Sequence, residues 1–329
     1  MSDSGMESFP GLIFAVNLDG KGGALDIPSA EIRHELELDS LTWIHLDYSV
    51  DGIQDWLRRV GGLDEVAIAA LTASEPRPRC IPHGEGQIVI LRGVNQNPGA
   101  DREDMISLRI WIEADCIISM RQRRLLSASL IRDALTEGKG PLDQGSLIIS
   151  LGSHMCDNIA QVVADLDEKA DNLEETVMTM ASHDLRSQLA DIRREAISVR
   201  RYLAPQRDAL SALMNLRLAW LDDTNRMYLR DVADRTTRYI EDLDAIRERA
   251  VVTQEELNSR IAERMNRIMY FFSIITGIFL PLGLLTGLLG INVGGMPGAH
   301  NDLAFWMVCG LLGLITLLEL WIFKKLNWF

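Results

Sequence analysis

Two uninterrupted apolar runs near the C-terminal end limit what this chain can become. Ile268 to Leu289 is 22 residues without a charge, and Leu303 to Phe323 is 21 residues with a single one, Glu319. At about 1.5 Å of rise per residue the first makes about 33 Å of helix, enough to cross a hydrocarbon layer of about 30 Å. A backbone inside lipid must close its hydrogen bonds on itself, so each run is expected to be a membrane-spanning helix. Arg260, Arg264 and Arg267 precede the first run and Lys324-Lys325 follow the second, while the connecting loop, 290–302, holds no Lys or Arg. Basic residues favour the cytoplasmic side, so the expected hairpin keeps both chain termini inside and its loop outside.

Removing the hairpin leaves about 265 residues, enough for a sizeable core. Met1 to Gly20 carries Asp3, Glu7 and Asp19, with no basic start and no apolar stretch, so no export signal is expected there. Cys80, Cys116, Cys156 and Cys309 are scattered without a CxxC pair, which supports neither a disulfide framework nor a thiolate zinc site. With 33 Lys and Arg against 47 Asp and Glu, the net charge is −14. That disfavours nucleic acid as a partner. An acidic surface attracts cations, and it also simply keeps a protein soluble.

Residues 10 to about 120 read as mixed α and β. Leu12–Val16, Trp43–Leu46, Ile88–Leu91, Leu108–Ile112 and Cys116–Met120 are short, rich in β-branched or aromatic residues, and bounded by turn formers. Asp51 is placed to cap a helix running through about Val60, and Asp64 or Glu65 to start the next. Glu75-Pro76-Arg77-Pro78-Arg79 reads as an extended connector, and Asn95-Gln96-Asn97-Pro98-Gly99 as a turn. Beyond Gly152, residues 153–204 and 206–276 contain no Gly or Pro, and apolar residues recur at helical spacing. Long helices are expected, with Pro205 separating an antiparallel pair and no break over 226–289 before Gly277. The domain boundaries expected from this pattern are 1–150 (α/β), 151–267 (long helices), 268–289 (first span), 290–302 (outer loop), 303–323 (second span) and 324–329 (basic tail). Two helices cannot surround water by themselves, so conduction needs an oligomer in which each subunit lends one helix to a ring.

Phe279-Leu280-Pro281-Leu282, then Gly287, then Gly290-Ile291-Asn292-Val293-Gly294-Gly295-Met296-Pro297-Gly298 resembles the CorA superfamily of divalent-cation transporters. That superfamily has a Gly-Met-Asn signature at the outer end of its first membrane helix. Here Ile291 stands in place of the Met, a form similar to the zinc-transporting ZntB branch. Arg201-Tyr202-Leu203-Ala204-Pro205-Gln206-Arg207 resembles the family's Arg-x-Leu-x-Pro-x-Arg junction between long cytoplasmic helices, and Lys324-Lys325 its basic tail. The resemblance implies an α+β cytoplasmic domain, long stalk helices and a C-terminal two-helix hairpin, assembled as a funnel-shaped homo-oligomer, a pentamer if it follows the family. It implies zinc import across a bacterial inner membrane, with proton coupling left open. The partners are then divalent metal ions, the lipid bilayer and further copies of the chain, with no cofactor beyond the transported Zn2+ or another divalent cation.

On matching positions the first span lines the pore through Met269, Phe272, Leu280 and Gly283, with Gly290, Ile291 and Asn292 at its mouth. A ring of Asn292 amide oxygens can hold a hydrated divalent ion without binding it too tightly to release. The alternative is that Asn292 is an ordinary helix cap beside a glycine-rich turn. Pro281 is a candidate hinge or a tolerated membrane proline. His300 and Asp302 are zinc-suited side chains in the outer loop, or merely solvated ones. Glu319 is expected near the inner interface beside Lys324, with proton coupling as its functional alternative.

Asp157, Asp165, Asp167, Glu168, Asp171, Glu174 and Glu175 face only Lys169 within 19 residues. The subset Asp165, Asp167, Asp171, Glu174 and Glu175 is a candidate acidic funnel wall, or else a solvated helix face. His154-Met155-Cys156-Asp157 and His183-Asp184 add ligand-type side chains. No enzyme motif is visible: Gly20-Lys21-Gly22-Gly23 lacks phosphate-loop spacing, and no nucleophile sits in a recognisable elbow. The rivals to zinc transport are a magnesium, cobalt or nickel channel of the same superfamily, and a membrane-anchored sensor or scaffold.

Overall fold

The computed structural model describes residues 9–29, 32, 41–101, 104–180, 183–291 and 303–325. Two compact units are distinguished, Met1–Gln254 and Glu255–Phe329.

In the first unit the described strands are β1 (Leu12–Leu18), β2 (Ala24–Asp26), β3 (Thr42–Asp47), β4 (Arg79–His83), β5 (Gly86–Gly93), β6 (Ile106–Ile112) and β7 (Cys116–Arg121). They form one sheet in the order β2-β1-β3-β7-β6-β5-β4. Neighbours are antiparallel except β3 and β7, which run parallel with Trp43 opposite Ile117. All five runs expected as strands are strands. Two more were not foreseen: β2 is only three residues long, and β4 contains Pro82, which an edge position tolerates.

Side chains alternate between the sheet faces, and each face is buried. Phe14, Val16, Trp43, Leu108, Ile110 and Ile117 pack toward Ala128 and Ile131 of α3 (Leu126–Thr136), Leu147, Leu151 and Met155 of α4 (Gln144–Thr179) and Leu229 and Val232 of α6 (Asp223–Leu289). Ala15, Ile44, Ile88, Ile90 and Ile118 pack on the other side, against Trp56 and Leu57 of α1 (Ile53–Arg59) and Ile68 and Leu71 of α2 (Glu65–Thr72). A sheet covered on both faces explains why β5 and β6 are buried along their whole length instead of alternating polar and apolar.

Local signals set the helix starts. Asp64 caps α2 by accepting from the Ala67 amide at 2.8 Å. At α4, Asp143 accepts from the Ser146 amide at 2.7 Å, and Ser146 Oγ accepts from the Asp143 amide at 2.9 Å. Helix α1 departs from expectation: its cap is Gly52, at φ 87°, rather than Asp51.

The long helices also differ at Pro205. Helix α5 (His183–Asn215) runs straight through that proline instead of ending there. Leu203 and Gln206, and then Ala209, Leu210 and Leu213, are buried on both sides of it. Their packing outweighs the lost hydrogen bond, which costs about 3 kcal/mol in an unsupported helix. The helix ends fall instead at Thr179 and Asn215. Helix α4 is apolar and long enough to cross a membrane, but half of its apolar window is buried inside the first unit. It is a core helix. In the second unit lie the C-terminal part of α6 and α7 (Ala304–Lys325), whose apolar windows hold no fully buried residue.

A polar chain crosses the sheet core at β3 and β7. Trp43 Nε1 donates to Ser119 Oγ at 2.8 Å, and that oxygen lies 2.7 Å from Nδ1 of the buried His45. Burial, followed by the charge of Arg121, pushes His45 down from 6.5 to about 3. His45 is therefore neutral when folded and gains a proton readily only when unfolded. Its contribution to stability is complete above about pH 6.5 and is lost as pH falls toward 3, by about 1.4 kcal/mol per pH unit. Denaturant unfolding between pH 7 and pH 4 should show this slope, and His45→Gln should flatten it.

Candidate functional site

Met269, Phe272, Leu280 and Gly283 all lie on α6 within the second unit. At about 100° per residue they fall within one arc of about 80°. Met269 is 54%, Phe272 60% and Leu280 68% exposed, and a Cβ placed on Gly283 would meet nothing within 4 Å. The contact with α7 lies elsewhere: a Cβ on Gly277 would stand 2.9 Å from Cζ of Phe323. Gly277 sits about 100° round from the centre of the arc, so α7 leaves the arc uncovered. Thr276 and Gly287 share the same arc; Thr276 is exposed, and a Cβ on Gly287 would also meet nothing within 4 Å. Both were missed from the sequence, although continuing the helical period from Phe272 reaches them.

Helix α6 passes Pro281 and closes at Leu289, and the Gly290 amide still donates to Thr286 O at 2.9 Å. Pro281 has no amide to offer the carbonyl of Gly277, the residue packed on Phe323. Ile291 is exposed. Asn292, His300 and Asp302 lie outside the described residues. Trp306 and Trp321 stand near opposite ends of α7, where aromatic rings favour the edges of a bilayer. Glu319 Oε2 is buried without a hydrogen-bond partner, and Lys325 Nζ lies over the Trp321 ring at 5.2 Å.

The acidic stretch of α4 has basic partners that its own sequence does not reveal, because they come from α6. Asp157 accepts from Arg235 at 2.6 Å, and Arg235 also donates to Ser153 Oγ at 2.8 Å. Asp167 and Asp171 both bind Arg249. Lys169 turns instead to Glu195 of α5 at 3.6 Å, and Arg200 of α5 to Asp244 of α6 at 2.7 Å. Of the candidate funnel acids, Glu175 is exposed and Asp165 and Glu174 are half-buried. Each partly exposed pair contributes at most about 1 kcal/mol.

The ligand-type cluster on α4 disperses when folded. His154 Nδ1 meets Ser150 O at 2.8 Å, Cys156 is buried against Val232 and Thr236, and Asp157 is held by Arg235. The side chain of His183 lies outside what is described. Burial pushes Cys80 up to about 11 and Cys116 up to about 12, so neither offers a thiolate near neutral pH. Among the described residues no group of three His, Cys, Asp or Glu is placed to hold a metal ion.

Comparison with known proteins places this architecture. The family described as CorA-like Mg2+ transporter protein matches residues 39–325. The divalent cation transporter CmaX of Pseudomonas aeruginosa is 41% identical over 322 residues, covering 97% of both chains. The zinc transport protein ZntB of Pectobacterium atrosepticum is 34% identical over 330 residues, 98% of this chain and 100% of its own. The structure of full-length CmaX superposes with a TM-score of 0.85 at 39% identity, covering 99% of this chain and 100% of that one. The CorA magnesium transporter of Methanocaldococcus jannaschii shares the fold, with a TM-score of 0.80 at 18% identity over 96% and 99% of the two chains.

The Gly277–Phe323 contact makes the hairpin testable by itself. Gly277→Leu should sharply lower the yield of folded protein in detergent, because the added side chain meets the Phe323 ring. Adding Phe323→Ala should restore much of it. Failure of the double variant to recover, judged by size-exclusion profile and thermal unfolding, contradicts this packing.

Proposed function

We propose a function from one premise: this chain belongs to the family of CorA-like Mg2+ transporter proteins. It is a divalent-cation transporter and not an enzyme. In our reading, five copies assemble around an axis, each lending the uncovered arc of α6 to a central pore, with α7 outside the ring. The membrane is the bacterial inner membrane. Both termini and the first unit lie inside, as the Arg and Lys distribution around the spans favours.

The observation that carries this reading is the arc. Met269, Phe272, Leu280 and Gly283 share one exposed side of α6 that α7 does not cover. An apolar wall suits an ion that keeps its water, and narrow apolar stretches gate by dewetting. Gly283 and Gly287 let neighbouring helices approach closely near the outer half. Asn292, two residues beyond Gly290, supplies the amide oxygens that would meet the hydrated ion first, with His300 and Asp302 as outer contacts. The acids left exposed on α4, Glu175 among them, would draw the ion inward.

Zinc is the proposed cargo. The Gly-Ile-Asn form of the signature and the ZntB relatives at 34% identity support it. The CmaX relative at 41%, named only as a divalent cation transporter, supports the second reading, a broader or magnesium-preferring channel. A proton gradient as driving force belongs to the first reading.

Flux into proteoliposomes tests both. Zinc flux should fall at least about tenfold in Asn292→Ala, a loss equal to about 1.4 kcal/mol of barrier, while assembly is unchanged. An inward proton gradient should raise wild-type zinc flux. Gly283→Leu should block flux by filling the pore, whereas the same change at Gly313 of α7, also in open space, should not. Flux that favours magnesium and ignores pH selects the second reading, and flux indifferent to Asn292 and Gly283 removes the pore assignment.

A further inference from the structure

The first unit contains a feature that cation transport does not use. Arg92 of β5 and Arg109 of β6 are buried, 7% and 1% exposed, and line a cavity of about 90 Å³ together with Tyr48, Ser107 and Gln122. Every acceptor that holds them is neutral. Arg109 donates to Leu71 O at 2.5 Å, to the Tyr48 hydroxyl at 2.7 Å and to Ser107 Oγ at 3.3 Å, and its guanidinium lies 3.9 Å from the centre of the Tyr48 ring. Arg92 donates to Met105 O at 2.6 Å and to Pro76 O at 3.2 Å. Among the described residues no carboxylate pairs with either.

Burying one guanidinium without a counter-charge is costly, and two facing the same cavity repel each other as well. Arg109 shows the strain: burial first, then the charges of Arg92 and Arg79, lower its hold on its proton against the favourable effect of Tyr48. The neutral acceptors fix both forks in place without satisfying them. Each terminal nitrogen carries a pair of hydrogens and donates to a single protein acceptor, so hydrogens remain for a ligand. The acids on the cavity wall do not fill this role. Asp104 is exposed and bound to Arg123, and Glu75 is exposed.

We propose that this cavity is a binding site for a small tetrahedral oxyanion of the phosphate type, gripped by the Arg92 and Arg109 forks. Paired, fixed guanidinium groups suit the oxygens of such an anion. The volume fits: one water needs about 10–15 Å³ of such space, so the cavity has room for several waters or one phosphate group. The site also reaches α5. The Arg92 guanidinium lies 4.6 Å from the centre of the Tyr202 ring, and the Arg92 amide donates to Gln206 Oε1 at 2.6 Å. Those two residues flank Pro205 in the Arg201–Arg207 segment, so a bound anion would brace the sheet against the helix that continues through the proline. The ligand is either free phosphate or the phosphoryl end of a nucleotide.

Titration calorimetry on the full-length protein in detergent, in phosphate-free low-salt buffer, tests this with inorganic phosphate and with ATP as separate ligands. Saturable binding of inorganic phosphate is expected. Arg109→Lys should weaken it about tenfold or more, because Lys keeps the charge but loses the fork. Asp104→Asn should tighten it by about threefold or more by removing a neighbouring negative charge. That gain cannot come from misfolding, which keeps the test open if Arg109→Lys proves unstable. Binding of ATP alone, with the same dependence on both positions, assigns the nucleotide as the source. No saturable binding of either ligand, or binding that ignores both substitutions, overturns the proposal.

Discussion

Amides and carbonyls inside a hydrocarbon layer cannot turn to water, so any segment that crosses one must close its hydrogen bonds on itself. Helix α6 meets that demand as one uninterrupted element from Asp223 to Leu289. Its first turns bury Leu229 and Val232 in the core of the α/β unit, and its last turns carry the uncovered arc. The constraint also fixes what a single copy lacks. Two helices close nearly all of their hydrogen bonds on themselves, the carbonyl facing Pro281 excepted, yet enclose nothing, so a pore would require further copies. The arc centred about 100° round α6 from Gly277 is left uncovered by α7.

Charge is distributed to match. The chain is strongly acidic, but the acids of α4 are not a bare negative wall. Arg235 and Arg249 of α6 reach across to Asp157, Asp167 and Asp171, and Lys169 reaches to Glu195. These links between long helices are individually weak. They pair Asp157, Asp167 and Asp171 across the helices, while Glu175 stays exposed. The interior of the sheet has the opposite sign: Arg92 and Arg109 are buried there among neutral acceptors.

Most of the framework was legible because it rests on local pattern. The apolar runs at 268–289 and 303–323 became the apolar parts of α6 and α7, and five β-branched runs became strands. Strand β4 was hidden because Arg79-Cys80-Ile81-Pro82-His83 mixes charge with a proline, and only its position at the sheet edge makes that composition acceptable. Helix α5 was read as two because Pro205 has a local cost, while the burial that offsets it comes from the sheet and α4. The acids of α4 were read without their arginines for the same reason: residues nearly 80 positions apart in sequence meet only after folding. The arc on α6 was partly legible. Its four expected members lie together, and Thr276 and Gly287 follow from the same period.

The most direct test of the account is cysteine accessibility along residues 268–289 in membranes, one position at a time, with Cys309 replaced. A small charged thiol reagent reaches only positions that face water. The account predicts reaction at positions 269, 272, 276, 280, 283 and 287, slowed by zinc, with positions 277 and 281 silent. Uniform protection along the span, or reaction centred on the Gly277 side, would contradict the assignment of this arc to a pore.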